Sequence, residues 1–352
     1  METWRLLDTG SRSAAENMCL DEALLKTKEA GIIPNTLRFM KFRPHCVLVG
    51  FHQSVEQEVR DEFCRQEGIE INRRISGGGA IYLGEEELGW ELVADKVSIM
   101  NRWEISHAYK LLCEAGCQGL QKIGLPCSYR PLNDIEVEGR KISGAGGGES
   151  GSAFLFHGSI LVNFDLRLML GALHIPVEKL VDKGIGSFRE RVTSIAWELE
   201  KVPPGERIKS SMAESFAEMF HVNFSPGGLT DWETEYMEEN LSKFLSPSWI
   251  YKIKRPLEEE QILEAQKKAP GGLIRVSLLV NEPRNILKMA LITGDFFAYP
   301  KNTILDLEAR LKNLRCDRIE ESIINFFKER QPIIPGVSSG DLVSVFQEAL
   351  GK

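Results

Sequence analysis

An α/β domain followed by a small α+β domain is the architecture this sequence predicts, on three observations. Its 352 residues divide into about two domains at roughly 150 residues each. The N-terminal part alternates short apolar runs and glycine clusters with amphipathic helical segments. After a turn-rich stretch at 246–258 the pattern changes to a single β-hairpin followed by helices. The spacing therefore predicts domains at 1–245 and 259–352, joined by a linker at 246–258.

The elements follow in order. Ser13 to Ala30 reads as a helix, with Ala15, Met18, Cys19 and Ala23 at three- and four-residue spacings and Gly31 as its stop. Thr36–Met40 and Cys46–Gly50 are short apolar runs suited to strands, and Val59–Glu67 is helical. Glu70–Ile75 leads into Gly77-Gly78-Gly79. Ala80–Leu83 resumes as a strand, with Leu88–Ala94 as its antiparallel return. Arg102–Leu120 is a second helix. Ile135–Val137 and Arg140–Ile142 flank Glu138-Gly139, a hairpin signal. Phe154–Phe164 is the longest strand candidate. Pro203-Pro204 marks a turn before the helix Lys209–Phe220, and Trp232–Phe244 is a third, exposed helix. In the tail, Ile274–Val280 and Ile286–Thr293 pair through Asn281–Arg284. Asn302–Leu314, Arg318–Arg330 and Gly340–Leu350 are helices.

Composition excludes several functions. The net charge is −8, from 43 Lys+Arg against 51 Asp+Glu. Nucleic acid is an unsuitable partner, because phosphate binding needs a basic excess or stripe. No apolar run approaches the ~18 residues that span a bilayer, so no membrane association is expected. Met1-Glu2-Thr3-Trp4-Arg5 lacks a secretory pattern. Seven Cys without a CxxC pair read as reduced cytoplasmic thiols, not disulfides or a structural metal site.

Arg73-Arg74-Ile75-Ser76-Gly77-Gly78-Gly79-Ala80-Ile81-Tyr82 carries the most information. Three consecutive glycines between strands are costly, so the sequence predicts a ligand lying against bare backbone. Arg73 and Arg74 would grip phosphate oxygens. No GxxxxGK[ST] occurs. Gly146, Gly148 and Gly151 match GxGxxG, but a strand follows instead of a helix, so a dinucleotide site is rejected. Lys141, beside Gly144, can aim an ammonium at developing negative charge. Asn133 and Asp134 could hold Mg²⁺ with phosphate oxygens.

Together these segments resemble the lipoate–protein ligases, of the wider biotin/lipoate ligase and octanoyltransferase superfamily. The resemblance rests on Arg73–Tyr82, Asn133-Asp134, Gly139–Gly144 and Phe156-His157-Gly158-Ser159. It extends to Ala14–Met18, Asp21-Glu22-Ala23 and Arg191–Ser194, and to Gly294–Phe297 and Gly336-Val337 in the tail. It implies a catalytic domain with a mixed sheet flanked by helices, plus a small α+β accessory domain. It also implies an ATP-dependent ligase that forms an acyl-AMP from lipoate or octanoate with Mg-ATP. The acyl group then passes to a lysine of an apo lipoyl carrier domain. Lys141 matches the catalytic lysine. Arg74, Ser76, Gly77, Gly78, Gly79, Ala80, Tyr82, Gly144, His157 and Gly158 match acyl-adenylate contacts, with His157 lining the acyl tunnel. Asn133 and Asp134 match the nucleotide and Mg²⁺ contacts. The chain is expected to act as a monomer.

A rival reading is an ATP-independent octanoyl or lipoyl transferase using Cys127 as acyl-thioester nucleophile. Some superfamily transferases carry a cysteine just before the segment equivalent to Asn133-Asp134. Ala145–Ser152, six of whose eight residues are Gly or Ser, is expected to form a mobile flap. Arg73, Arg74, Arg140 and Lys141 are expected to form a basic patch that attracts acidic carriers.

Overall fold

The computed structural model describes residues 1–100, 105–174, 189–254 and 262–351. The chain forms two units: Met1–Leu48 with Val59–Ile75 and Ile81–Ile250, and Val49–Glu58 with Ser76–Ala80 and Tyr251–Lys352. The second unit thus takes in two N-terminal segments as well as the tail. Part of the predicted linker, residues 255–258, and the first residues of the predicted second domain, 259–261, lie outside the described residues, as does the predicted helix start at 102–104.

The strands of the first unit are β1 (Glu2–Arg12), β2 (Thr36–Phe42), β3 (Cys46–Val49), β4 (Glu70–Arg73), β5 (Ile81–Leu83), β6 (Leu88–Asp95), β7 (Cys127–Arg130), β8 (Asp134–Val137), β9 (Arg140–Ser150), β10 (Ala153–Ile160) and β11 (Val222–Gly227). Eight make one sheet in the order β11-β1-β2-β6-β10-β9-β8-β7, and β4-β3-β5 make a second. β1 runs parallel to both β2 and β11, while the other pairs of the large sheet are antiparallel. The sheet is therefore mixed. β6 pairs with β2 and β10, and β5 pairs with β3. The expected return of Leu88–Ala94 onto Ala80–Leu83 does not form, because two apolar strands offered better-matched edges than one.

Helices cover both faces. Ala14–Glu29 begins at a capping box, Ser13 with Glu16, and is buried on nearly every side. It packs on Leu7, Met40, Val93 and Leu155 of the sheet and is covered in turn by Asp231–Leu245. The opposite face takes Ile105–Gln121 and Gly205–Phe220. Gly116 and Gly119 let these two helices approach: a Cβ at Gly119 would lie 2.8 Å from Met212 Cα. Trp90 fills this layer, with its ring 5.5 Å from Phe156 and 5.3 Å from Phe216.

Gly158 is part of the same packing. A Cβ there would lie 2.6 Å from Trp90 Cε2, and Trp90 is fully buried. Gly158→Ala should destabilise the chain by about 1–3 kcal/mol through overpacking, read as a lowered denaturant midpoint.

The second unit contains β12 (Ile262–Ala269), β13 (Gly272–Asn281), β14 (Ile286–Gly294) and β15 (Leu314–Arg315) in one antiparallel sheet. Thr303–Leu311, Ile319–Arg330 and Ser339–Ala349 close its core around Phe296, Ile323 and Phe346. Ser76–Ala80 belongs here. Gly78 donates to Phe296 O at 3.3 Å, and a Cβ at Gly77 would lie 2.7 Å from the same oxygen. Gly78 has φ of 92°, and a Cβ at Gly50 would overlap Gly78 O. Close backbone packing and the positive φ thus account for Gly77 and Gly78, whereas a Cβ at Gly79 would make only an ordinary contact, 3.5 Å from Asp295 Cβ.

Candidate active site

The register of the large sheet builds the site. Strand partners share a face, and two rows of partners run across one face, on the side of Ala14–Glu29. The first row is Arg38, Glu91, His157 and Gly146. The second is Met40, Gly89, Ser159, Gly144, Asp134 and Arg130.

Lys141 joins the second row. It pairs with Glu136 across a bulge after Ile135 and is held by the returning chain: its N–H donates to Arg191 O, and Thr193 N–H donates to its carbonyl. Lys141 Nζ lies 2.7 Å from Asp134 Oδ1, an ion pair lacking hydrogen-bond alignment. Gly144 leaves room for this arrangement, since a Cβ there would lie 2.6 Å from Nζ. Arg130 takes the other carboxylate oxygen at 2.6 Å and also reaches Glu136 at 3.3 Å.

That geometry corrects the magnesium assignment. Both oxygens of Asp134 already face cations, and Asn133 donates its side-chain N–H to Ala145 O. The pair offers no carboxylate oxygen for a divalent ion unless an existing cation leaves. The phosphate grip is corrected as well. Arg73 is fully buried and donates to the carbonyls of Trp249 and Ile250. Arg74 is buried and donates to Leu48 O at 2.7 Å. Burial pulls Arg73 down to about 9 and Arg74 to about 10. Arg140 pairs with Glu138 and Glu198. The four cations therefore do not form a free basic patch.

Tyr82 is buried in β5 and shares a short hydrogen bond with His45. Gly158 points to the other face of the sheet, under Trp90. The expected flap at 145–152 is instead mostly strand: β9 pairs with β10 in continuous register from Ser143 to Ser150. Ladder hydrogen bonds come from the backbone, so a glycine-rich segment forms them without side chains. Its end is fastened, with Ser150 Oγ bonded to Lys26 and Glu29 and Glu149 paired with Lys96.

Cys127 falls on the other side. Its register partner is Val137, which is buried with Ile135 against Ile105–Gln121. Asp134, Glu136 and Lys141 occupy the opposite face. Cys127 Sγ lies 3.3 Å from Cys117 Sγ, and that contact with burial raises its thiol pKa far above the ordinary range. The structure does not bring Cys127 together with Lys141.

The first row adds groups that sequence reasoning missed. Arg38 Nη1 bridges Asp21 Oδ1 at 2.9 Å and Glu91 Oε1 at 2.8 Å, all three fully buried. Asp21 Oδ2 and Glu91 Oε2 accept no hydrogen bond, and His157 Nδ1 stands 3.8 Å from Asp21. Burial lifts Asp21 to about 6. It lifts Glu91 to about 7, with the Asp21 charge adding to the rise. Burial and the Arg74 charge push His157 down to about 4, so its ring is neutral at pH 7. His157, expected to line the acyl tunnel, has charged neighbours.

Asp21, Glu91 and His157 are metal-ligand types with donor atoms within 4.8 Å of one another. The charge count disfavours a dication. Two carboxylates stand against the Arg38 guanidinium and the nearby Arg74 charge, which already balance them, so a dication would leave the buried cluster positively charged. The available signal was a charge inside each apolar run: Leu37-Arg38-Phe39 and Trp90-Glu91-Leu92.

Comparison with known proteins identifies the family. Residues 13–217 match the family described as lipoyl protein ligase A/B catalytic domain. The octanoyltransferase LipM of Kyrpidia tusciae is 30% identical over 275 residues, covering 72% of this chain and all of that one. A bipartite lipoate protein ligase of Thermoplasma acidophilum, described with its E2 lipoyl domain, superposes with a TM-score of 0.64. It has 26% identity and covers 73% of this chain and 100% of its own. The lipoate complex of Plasmodium falciparum LipL1 covers 99% of this chain and 100% of its own, with a TM-score of 0.74 and 17% identity, a likeness of fold. The sequence relative is named for octanoyl transfer. That overturns the expected ATP-dependent formation of an acyl-AMP, in line with the buried arginines and the doubly paired Asp134.

Proposed function

The chain belongs to the lipoyl protein ligase A/B catalytic-domain family, and from that membership we propose that it moves an octanoyl or lipoyl group from a thioester onto a lysine of a lipoyl domain. The observation that carries this reading is the Asp134–Lys141 pair beside Gly144. A thioester is already activated, so its transfer needs no nucleotide.

The steps balance without a cofactor. The acceptor lysine enters as a neutral amine and attacks the thioester carbonyl. A carbon–nitrogen bond forms, and the carbonyl oxygen becomes an oxyanion. Lys141 donates to that oxyanion from a fixed position, with Asp134 holding its ammonium. When the carbon–sulfur bond breaks, the thiolate leaves and takes the proton released by the amine. Gly144 carries no side chain, which leaves the space beside it to the Lys141 ammonium. Seven thiols without a disulfide suit a reducing, cytoplasmic compartment. Among the described residues no helix is long and apolar enough to cross a membrane.

The test is an intact-mass assay. An apo lipoyl domain given an octanoyl thioester donor and no nucleotide should gain one octanoyl group. Modification only from free octanoate with ATP would reject the proposal. Cys127→Ala should transfer at the wild-type rate, because its thiol lies across the sheet from Lys141.

A further inference from the structure

Cys127, outside the chemistry above, is half of a close thiol pair. Cys117 sits in the helix Ile105–Gln121 and Cys127 in the edge strand β7, ten residues later. Their sulfurs are 3.3 Å apart. Each thiol also faces the other residue's carbonyl, Cys117 Sγ to Cys127 O at 3.1 Å and Cys127 Sγ to Cys117 O at 3.2 Å. Gln121 Nε2 donates to Cys117 Sγ at 3.6 Å and to Cys127 O at 2.8 Å. The Gln121 amide thus points at the Cys117 sulfur, with the Cys127 sulfur beside it.

We infer that Cys117 and Cys127 are an oxidative modification site, converted by a small peroxide into an intramolecular disulfide. A disulfide needs its sulfurs at about 2.05 Å, so the pair must close by little more than an ångström. Each residue is 4% exposed, which suits a two-oxygen oxidant and disfavours bulky thiol reagents.

The chemistry has two steps. The Cys117 thiolate attacks the peroxide: a sulfur–oxygen bond forms, the oxygen–oxygen bond breaks, and the departing hydroxide takes a proton to become water. Cys127 then attacks the oxidised sulfur. The sulfur–sulfur bond forms, the sulfur–oxygen bond breaks, and hydroxide leaves as a second water with the Cys127 proton. Two thiols and hydrogen peroxide give one disulfide and two waters.

The surroundings select this pair. The hydrogen bond from Cys127 lowers the Cys117 pKa from its ordinary value, whereas burial raises Cys19, Cys46, Cys64 and Cys113. The thiolate is the reactive form. Closing the pair ties β7 to the helix beneath it. β7 is the register partner of β8, which carries Asp134.

The test uses the full chain, reduced, treated with hydrogen peroxide while folded, then unfolded in denaturant, alkylated and mapped by mass spectrometry. The expected product has lost two hydrogens, links the Cys117 and Cys127 peptides within one chain, and reverts with dithiothreitol. Cys117→Ser and Cys127→Ser should each abolish the link. The proposal is overturned if both cysteines remain alkylatable, if Cys117 proceeds to a sulfinic acid without a link, or if the link joins two chains.

Discussion

Lys141→Met should lower acyl transfer to the acceptor domain about 10²–10³-fold, the cost typical of removing one donor from an oxyanion site. The substitution keeps the length of the side chain and removes its charge. Folding should survive, because Lys141 is over a third exposed and its strand is held by backbone bonds to Arg191 and Thr193. The rate is read by mass spectrometry of the acceptor and the fold by melting temperature. Gly144→Ala reaches the same ammonium from outside, since its Cβ would occupy the space next to Nζ. It should reduce transfer while Lys141 itself is intact. A Lys141→Met enzyme that retains the wild-type rate would remove the basis of the proposed mechanism.

Arg38→Met should destabilise the chain by about 3–5 kcal/mol at neutral pH, because it strips the guanidinium that bridges Asp21 and Glu91 in a fully buried setting. The loss should shrink in acid. Both carboxyls have folded pKa values raised above their ordinary ones, to about 6 and about 7. The folded state therefore binds more protons than the unfolded chain between about pH 4 and 7. Stability from these groups is complete below that window and falls as pH rises through it. His157 acts oppositely: with its pKa lowered to about 4, its contribution is lost as pH falls below the ordinary histidine value. The two effects separate in Glu91→Gln, a neutral mimic of the protonated acid. Its melting temperature should exceed that of the wild type at pH 8 and approach it at pH 5. Denaturant titrations of both variants across pH 5–8 measure the effect. A pH-independent penalty in Arg38→Met would show that Asp21 and Glu91 do not titrate as a buried pair.

What the sequence disclosed depended on which physical signal each element carried. The Ala14–Glu29 helix has a cap and regular apolar spacing, and the Glu138-Gly139 turn has positive φ at both residues. Local chemistry sufficed there. Lys141, next to that turn, was picked out by the resemblance of Gly139–Gly144 to the ligase motif and not by its local chemistry. β1 was passed over because it lies between two parallel neighbours and lacks a clean alternation. The glycine stretch of β9 resembled a flap because composition says nothing of ladder bonds. The partners of Asp134, Arg73 and Arg74 were hidden because charge alone does not reveal a partner. Those partners, Lys141, Trp249, Ile250 and Leu48, become visible only once register and burial are known. The face on which Cys127 lies has the same origin, since a strand inverts its side chains at every residue.

The position of β1 sets a timetable for synthesis. Its β2 partner follows within a few dozen residues, but its other partner, β11, begins at Val222. At ~5–20 residues per second, the ribosome delivers that partner roughly 10–40 s after the first strand. For that interval one backbone edge of β1, from Glu2 to Leu7, stays unmatched and able to recruit another extended chain. The hazard of misassembly for a nascent copy is therefore concentrated in β1, and it ends only when the region after residue 220 has emerged.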